Sequence, residues 1–519
     1  MTRTLRRLKA ALALSALVLT PACRAAPSLR ILPPDGAVFA VSQRFDLRVE
    51  AKGLEGAVGE LEVRVNGKPL EQVRRFLRSS SAAGAKEVTA REVHFREPGP
   101  GLIQASLRTP SGTVTASSTF YVVPVGGDAL KARNVILMIG DGMGLAHREA
   151  ARVVGHGLVG GRYRSHLEME DMETLALAST SSLNSFVTDS ANGATAYAGG
   201  NKTDNGALCA WADNTSDPVD NPRMENLMEY ARREVGVSVG VVTTASVVDA
   251  TPAAFLAHCY ERGKAQEIAG QYPASAPDVL LGGGRDVFSK ALRARITGKG
   301  GRYVSDRQGL LAVPANTSRL LGLFSASTMT SVVDRTRSQE QGKGAGLKEP
   351  SLVDMTEAAL KVLSAKPRGF VLMVEGASID KQSHGRDPNR AVWEALEFDR
   401  AVGVAKRFAA EKGDTLVIVT ADHETGGMTL TGLDTAQKQL TLGWGQVPLE
   451  PGTGMTEPEY TAPPKVGGLG HTAADVPVTA SGPGASQIRG VLDATDVFFA
   501  MVRALCGGYE GAEAPSREQ

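Results

Sequence analysis

Four short apolar runs, at residues 134–139, 237–242, 370–374 and 416–419, lie far apart in the chain, yet each is followed closely by an acid: Asp141, Asp249, Glu375 and Asp422. A continuous apolar run reads as a strand buried on both faces, as happens in parallel sheets covered by helices. The intervening segments carry helix punctuation. Asp387-Pro388 opens a long helix that runs toward Lys412-Gly413, and Ser351 with Asp354 forms a capping box ahead of residues 355–364. Buried strands alternating with helices predict an α/β fold, a three-layer α/β/α sandwich around a largely parallel central sheet. In such sheets the carboxyl ends of the strands share one edge, where ligands bind. The fold class alone therefore gathers four acids.

The chain has 519 residues, more than a single core usually organises. Residues 28–125 follow a different period: Phe45, Leu47 and Val49 alternate with Asp46, Arg48 and Glu50, and Leu61, Val63 and Val65 with Glu60, Glu62 and Arg64. Period two with turns at Asn66-Gly67 and Pro110-Ser111-Gly112 predicts half-buried strands in a small all-β, immunoglobulin-like sandwich. It contains no cysteine, so an inter-sheet disulfide is excluded, and it carries no chemical constellation; it reads as a spacer or surface-adhesion module. Before it, Arg3, Arg6, Arg7 and Lys9 precede an apolar run at residues 10–19 too short to span a bilayer, so residues 1–27 read as an export signal, with Cys23 a candidate lipoprotein cysteine. The protein is then expected to be periplasmic, an outer-membrane lipoprotein or extracellular, with any membrane anchoring by lipid alone. Gly126-Gly127-Asp128 marks a linker at 126–133, followed by a catalytic domain at 134–507 and a tail at 508–519. Residues 431–468, rich in Gly, Pro and Thr, read as a long loop covering a surface near the site. Cys209, Cys259 and Cys506 permit one disulfide and one free thiol. With 57 basic and 56 acidic residues, a net charge of +1 provides no field for nucleic acid or an anionic bilayer. Anion binding must be local.

Four carboxylates on one edge repel unless cations neutralise them, and an unpartnered buried carboxylate is very unfavourable. Asp380 and His384, four apart, fall on one side of a helix, and His423 and His471 add imidazoles. Mixed nitrogen and carboxylate donors suit zinc, whereas an oxygen set such as Asp141, Glu375 and a hydroxyl suits magnesium. Ser190 precedes a run of small residues and would stand at the positive end of a helix, where an alkoxide and a phosphate are both favoured. Thr251-Pro252 resembles an N-cap followed by proline, so a capping and a ligand role compete for Thr251. Arg262 would lie about 16 Å along one straight helix from Thr251, too far unless the chain bends back. His94, His147, His156, His166 and His258 lack a comparable carboxylate context and read as structural.

Taken in order, Ile139-Gly140-Asp141-Gly142-Met143-Gly144, Thr188-Asp189-Ser190, Asp249-Ala250-Thr251-Pro252, Val374-Glu375-Gly376-Ala377-Ser378-Ile379-Asp380-Lys381, Thr420-Ala421-Asp422-His423-Glu424 and Gly470-His471-Thr472 resemble the alkaline phosphatase family, from Asn134 to about Leu505. The resemblance implies one zinc on Asp380, His384 and His471, a second on Asp141, Asp422, His423 and the Ser190 oxygen, and magnesium on Asp141, Thr251 and Glu375. It also implies that Ser190 is the nucleophile toward small phosphate monoesters, that a phosphoserine forms and is hydrolysed, and that Arg262 binds the phosphate. Asp249 and Lys381 match the form of the family that pairs Asp with Lys near the phosphate. A homodimer stays open. The segments 424–427 and 209–222 vary within the family. The nearest rivals are a phosphodiesterase or sulfatase of the same superfamily, but the sulfatase pattern of Cys or Ser followed by x-Pro-x-Arg is absent at Ser190. A noncatalytic adhesion or phosphate-binding protein would not need Ser190 together with every metal ligand.

Overall fold

The four apolar runs become neighbours. In the computed structural model, which describes residues 26–507 apart from 57, 75–76, 83, 127–130, 435–438, 449–456, 459–460 and 462–467, they are the strands Ser238–Ser246, Phe370–Gly376, Asn134–Gly140 and Thr415–Thr420, side by side in that order. All three contacts between them are parallel. They form the middle of a ten-stranded sheet among the described residues, which continues in parallel through Val279–Gly283, Leu320–Leu323 and Arg302–Val304 on one side. On the other side Val476–Ser481 runs antiparallel to Thr415–Thr420. The apolar residues of the four runs are buried, as strands covered on both faces must be. The helices Leu145–His156, Leu352–Leu363 and Pro388–Lys412 pack together, and Ser190–Gly199, Ala250–Ala254 and Ala494–Cys506 form a second group. The chain is thus an α/β sandwich. The predicted punctuation is present: Asp387 caps Pro388–Lys412 and Ser351 with Asp354 forms the capping box of Leu352–Leu363.

The amino-terminal segment forms a four-stranded sheet (Ser28–Leu32, Phe45–Lys52, Ala85–Val93, Leu77–Ala82) and a five-stranded one (Ala37–Ala40, Gly112–Val123, Gly99–Thr109, Leu61–Val65, Lys68–Pro69). One expectation fails there. Phe45–Lys52 is not half-buried: Asp46, Arg48 and Glu50 are buried along with Phe45, Leu47 and Val49. The polar face of this strand is docked on the loop at 209–222. Arg48 pairs with Asp213, Glu50 Oε1 accepts from the Asn214 amide (2.9 Å), and Asp46 Oδ2 accepts from Arg91 (2.5 Å) and from the Arg223 amide (3.0 Å). Alternating polarity cannot distinguish a solvated face from one that meets polar partners. Phe39 stacks on Phe45 and meets Trp211 edge-on, and Leu47, Val49 and Phe120 belong to the same continuous buried cluster as the central sheet.

Two smaller readings also change. Thr431–Gly468 is not simply a loop, because Leu430–Asp434, Gln439–Leu442 and Gly445–Pro448 form an antiparallel three-stranded sheet. Cys209, Cys259 and Cys506 are all free thiols. The sulfurs of Cys209 and Cys259 contact the carbonyls of Ala254 and Glu261 instead. At the expected linker, Gly126 and Ala132 donate to the carbonyls of Gly507 and Ala504, so its ends are fastened to the last helix. Residues 1–25 of the expected export signal, including Cys23, and the tail at 508–519 lie outside the described residues. No helix among the described residues is long and apolar enough to cross a membrane.

Gln43 tests the docking. Its buried amide donates to the carbonyls of Gly199 and Glu225 (both 3.0 Å) and accepts from the Ala40 amide (2.9 Å). Gln43→Leu deprives buried backbone groups of partners at about 1–3 kcal/mol each, so a loss of at least roughly 2 kcal/mol is expected. The shift of the denaturant midpoint measures it.

Candidate active site

Each acid reaches the site because its strand ends there. Asp141 follows Asn134–Gly140 directly, and Gly142 turns the chain at φ 74°, a conformation glycine adopts without strain. A Cβ at Gly142 would lie 2.9 Å from Asp380 and 2.7 Å from Thr425 Oγ1, so only hydrogen fits. Glu375 is the penultimate residue of Phe370–Gly376, and the next helix, Ser378–His384, brings Asp380 and His384 to one side, as their spacing predicts. Asp422 and His423 follow Thr415–Thr420. His471 comes from the short strand His471–Thr472, bridged to Glu424–Thr425.

These residues converge in two groups. Asp380 Oδ1, His384 Nε2 and His471 Nε2 lie 3.1–3.5 Å from one another. His423 Nε2 stands 3.5 Å from Asp141 Oδ1, 3.3 Å from Asp422 Oδ2 and 3.1 Å from Ser190 Oγ. Backbone carbonyls fix two imidazoles: His384 Nδ1 donates to Leu469 and His471 Nδ1 to Thr188 (2.9 Å). Their Nε2 lone pairs are thereby turned inward, as ligation requires.

The donors fit cations on two physical grounds. Asp141 Oδ1 and Asp422 Oδ2 are buried with no hydrogen-bond partner. In addition, burial and then the neighbouring Asp422, Asp380 and Glu375 push the Asp141 carboxyl well above its ordinary range, and burial raises Glu375 to about 7 despite a hydrogen bond from Thr243. Both Asp141, Asp422 and His423 and the trio of Asp380, His384 and His471 are placed to hold a metal ion. Asp380 behaves differently: although burial opposes its charge, the neighbouring imidazoles of His384 and His423 and the Thr425 hydroxyl hold it well below the usual carboxylate range.

Ser190 is the first residue of Ser190–Gly199, and Asp189, not Ser190, is the N-cap. Every residue of this helix is buried, and a Cβ on Gly193 would lie 2.8 Å from the Asp422 carbonyl oxygen. The small residues let this helix press against the chain that carries Asp422 and His423. Thr251 is likewise not a cap. The cap of Ala250–Ala254 is Asp249, which leaves Thr251 Oγ1 buried and unpartnered. That helix stops after five residues, and the chain turns back through the Leu208–Cys259 bridge, so Arg262 comes within reach of the site. Its guanidinium bonds Asp189 Oδ2 (2.9 Å) and Asp249 Oδ1 (3.1 Å), while Lys381 Nζ bonds Asp249 Oδ2 (2.9 Å). Against the effect of burial, Lys381 and Arg262 lower Asp249 to about 2.

Three residues contribute in ways that the motifs do not state. Asp189 braces Arg262. His147, assigned no role from sequence, accepts from the Gly144 amide (3.2 Å) and contacts Ser383 Oγ (2.9 Å) on the helix that carries Asp380 and His384. Burial lowers its pKa to about 3, which keeps it neutral. Thr425 touches both donor groups. No spacing rule marks their parts in the site, since the contacts that tie them to it, such as His147 with Ser383, are made across distant stretches of the chain.

An anion entering between Ser190 and Arg262 would meet a serine hydroxyl, a guanidinium fork and places for cations at once, an arrangement that suits a hydrolase working on phosphate esters. Residues 132–448 match the family described as alkaline phosphatase, and the chain belongs to that family. It is 36% identical over 423 residues to alkaline phosphatase H of Pseudomonas aeruginosa, covering 72% of this chain and 85% of that one. It is 33% identical over 424 residues to the alkaline phosphatase of Escherichia coli, covering 72% and 86%. The Thermus thermophilus alkaline phosphatase superposes with a TM-score of 0.60 at 28% identity, over 73% of this chain and 93% of that one. The protein is a phosphoric monoester hydrolase of a metal-dependent family.

Gly193 provides a direct test of the close packing. Gly193→Ala should move Ser190 away from its partners and lower kcat/KM for p-nitrophenyl phosphate by roughly a hundredfold, the usual consequence of displacing a reacting group by about 1 Å. Steady-state kinetics with a matched melting curve check it.

Proposed function

We propose that this alkaline phosphatase acts through a phosphoserine at Ser190, with two zinc ions and one magnesium ion per chain. The observation that carries the reading is the position of Ser190 Oγ, 3.1 Å from His423 Nε2 at a helix start, beside donor groups with orphaned buried oxygens. Asp380, His384 and His471 would hold one zinc; Asp141, Asp422, His423 and Ser190 Oγ the other; Asp141, Thr251 and Glu375 the magnesium. Bound there, the ions would supply Lewis-acid charge at the attacking and leaving oxygens.

The chain's own groups do the rest. Ser190 Oγ attacks phosphorus in line, the ester oxygen leaves, and water then hydrolyses the phosphoserine and frees Ser190. The amino end of Ser190–Gly199 favours both the serine alkoxide and the negative phosphoryl group. Arg262, held by Asp189 and Asp249, offers its fork to two non-bridging oxygens, and Lys381 adds positive charge beside Asp249. Asp249 thus positions both cations.

Small phosphate monoesters are the substrate class; among the relatives, one 36% identical over 447 residues, from Streptomyces griseus, is named a streptomycin-6-phosphate phosphatase. Export through residues 1–27, lipidation at Cys23, an immunoglobulin-like module at 28–125, a linker at 126–133, a catalytic domain at 134–507, a tail at 508–519 and a homodimer belong to the same proposal.

Elemental analysis of active protein should find two zinc ions and one magnesium ion per chain, and exhaustive chelation should abolish turnover. Full activity without metal would overturn the assignment. Acid quenching with labelled substrate should leave phosphate on Ser190, and near-normal turnover by Ser190→Ala would favour direct attack by water. Arg262→Ala should lose about a hundredfold or more in kcat/KM toward p-nitrophenyl phosphate, and much less toward bis-p-nitrophenyl phosphate, whose second ester link replaces one oxygen the fork would grip. Equal losses on both would contradict the role given to Arg262.

A further inference from the structure

Thr425 is fully buried, and its hydroxyl lies between the two donor groups: 2.5 Å from Asp380 Oδ1 and 3.2 Å from His423 Nδ1. Its backbone is pinned on both sides, the amide donating to the Gly142 carbonyl (3.1 Å) and the strand pairing with His471. A hydroxyl has one proton. The charged carboxylate is the stronger acceptor, so the proton goes to Asp380, and the remaining lone pairs can only accept. His423 must then carry its proton on Nδ1, which leaves the Nε2 lone pair facing Ser190, Asp141 and Asp422. The other two imidazoles have their orientation fixed by backbone carbonyls. His423 has it fixed by a side chain.

We propose that Thr425 is a positioning residue that sets the tautomer of His423 and the rotation of the Asp380 carboxylate together, so that one hydroxyl prepares both donor groups for metal. The inference rests on the reading that these groups hold zinc. It makes Thr425 more than a β-branched strand residue, because valine would fill the same space and keep the strand while removing both hydrogen bonds.

The test compares wild type, Thr425→Val and Thr425→Ser as metal-free proteins titrated with zinc against a chelator of known affinity, with melting curves of the metal-free forms alongside. Loss of a hydrogen bond that orients a metal ligand typically weakens binding by about 10–100-fold, so Thr425→Val should weaken zinc at both sites by that factor, and Thr425→Ser should restore it to within about threefold. Unchanged zinc constants in Thr425→Val, even with a lowered melting temperature, would overturn the proposal, as would Thr425→Ser binding as weakly as Thr425→Val. Should Thr425→Val not fold, histidine nitrogen chemical shifts of the wild type decide. The Nδ1–H form of His423 is expected in metal-free and zinc-loaded protein, and an Nε2–H form would refute the assignment. A wild type that binds no zinc at these groups would instead remove the reading beneath it.

Discussion

Buried negative charge at the carboxyl edge of the central sheet organises everything around it. Asp141, Glu375, Asp380 and Asp422 are brought there by adjacent elements and withdrawn from water, and burial, reinforced by neighbouring carboxylates, drives Asp141 and Glu375 toward their neutral forms. Such an arrangement persists only with compensating charge. Lys381 and Arg262 provide part of it through Asp249, but Asp141 Oδ1 and Asp422 Oδ2 remain without partners. The metal dependence of the family and the electrostatics of this chain therefore have the same cause.

Close approach is the second constraint, and it is met by leaving atoms out. Gly142 has no room for a Cβ against Asp380 and Thr425, nor Gly193 against Asp422. These absences allow three segments distant in sequence to meet around Ser190. Once they meet, hydrogen bonds fix the imidazoles: carbonyls for His384 and His471, the Thr425 hydroxyl for His423. The geometry is held by packed, hydrogen-bonded elements, as a site that works by placing charge requires.

The amino-terminal sheets extend this framework. Gln43 reaches the carbonyl of Gly199, at the far end of the helix that begins with Ser190, and Asn201 just beyond it exchanges hydrogen bonds with Val38. Together with the Arg48–Asp213 pair and the edge-on contact of Phe39 with Trp211, these contacts attach the segment along the Ser190–Gly199 helix and the loop that follows it. A freely tethered spacer would have no use for a buried polar strand face.

The α/β class, the four central strands, the acids at their ends, the Asp380–His384 pair and the cap of the long helix were all legible in the sequence, because each depends on local periodicity or short spacing. The alternation of Phe45 to Glu50 gave the strand but not the burial of its polar face, since polarity does not reveal whether water or a partner lies opposite. Local rules also left Thr251 between two roles and Arg262 apparently out of reach. Only the tertiary structure decided these points, by assigning the cap to Asp249, ending the helix at Ala254 and returning the chain through Cys259. The same holds for Asp189, His147 and Thr425, whose parts in the site come from partners far along the chain. Periodicity encodes which face of an element is buried; which distant side chain meets it is fixed by how the elements pack.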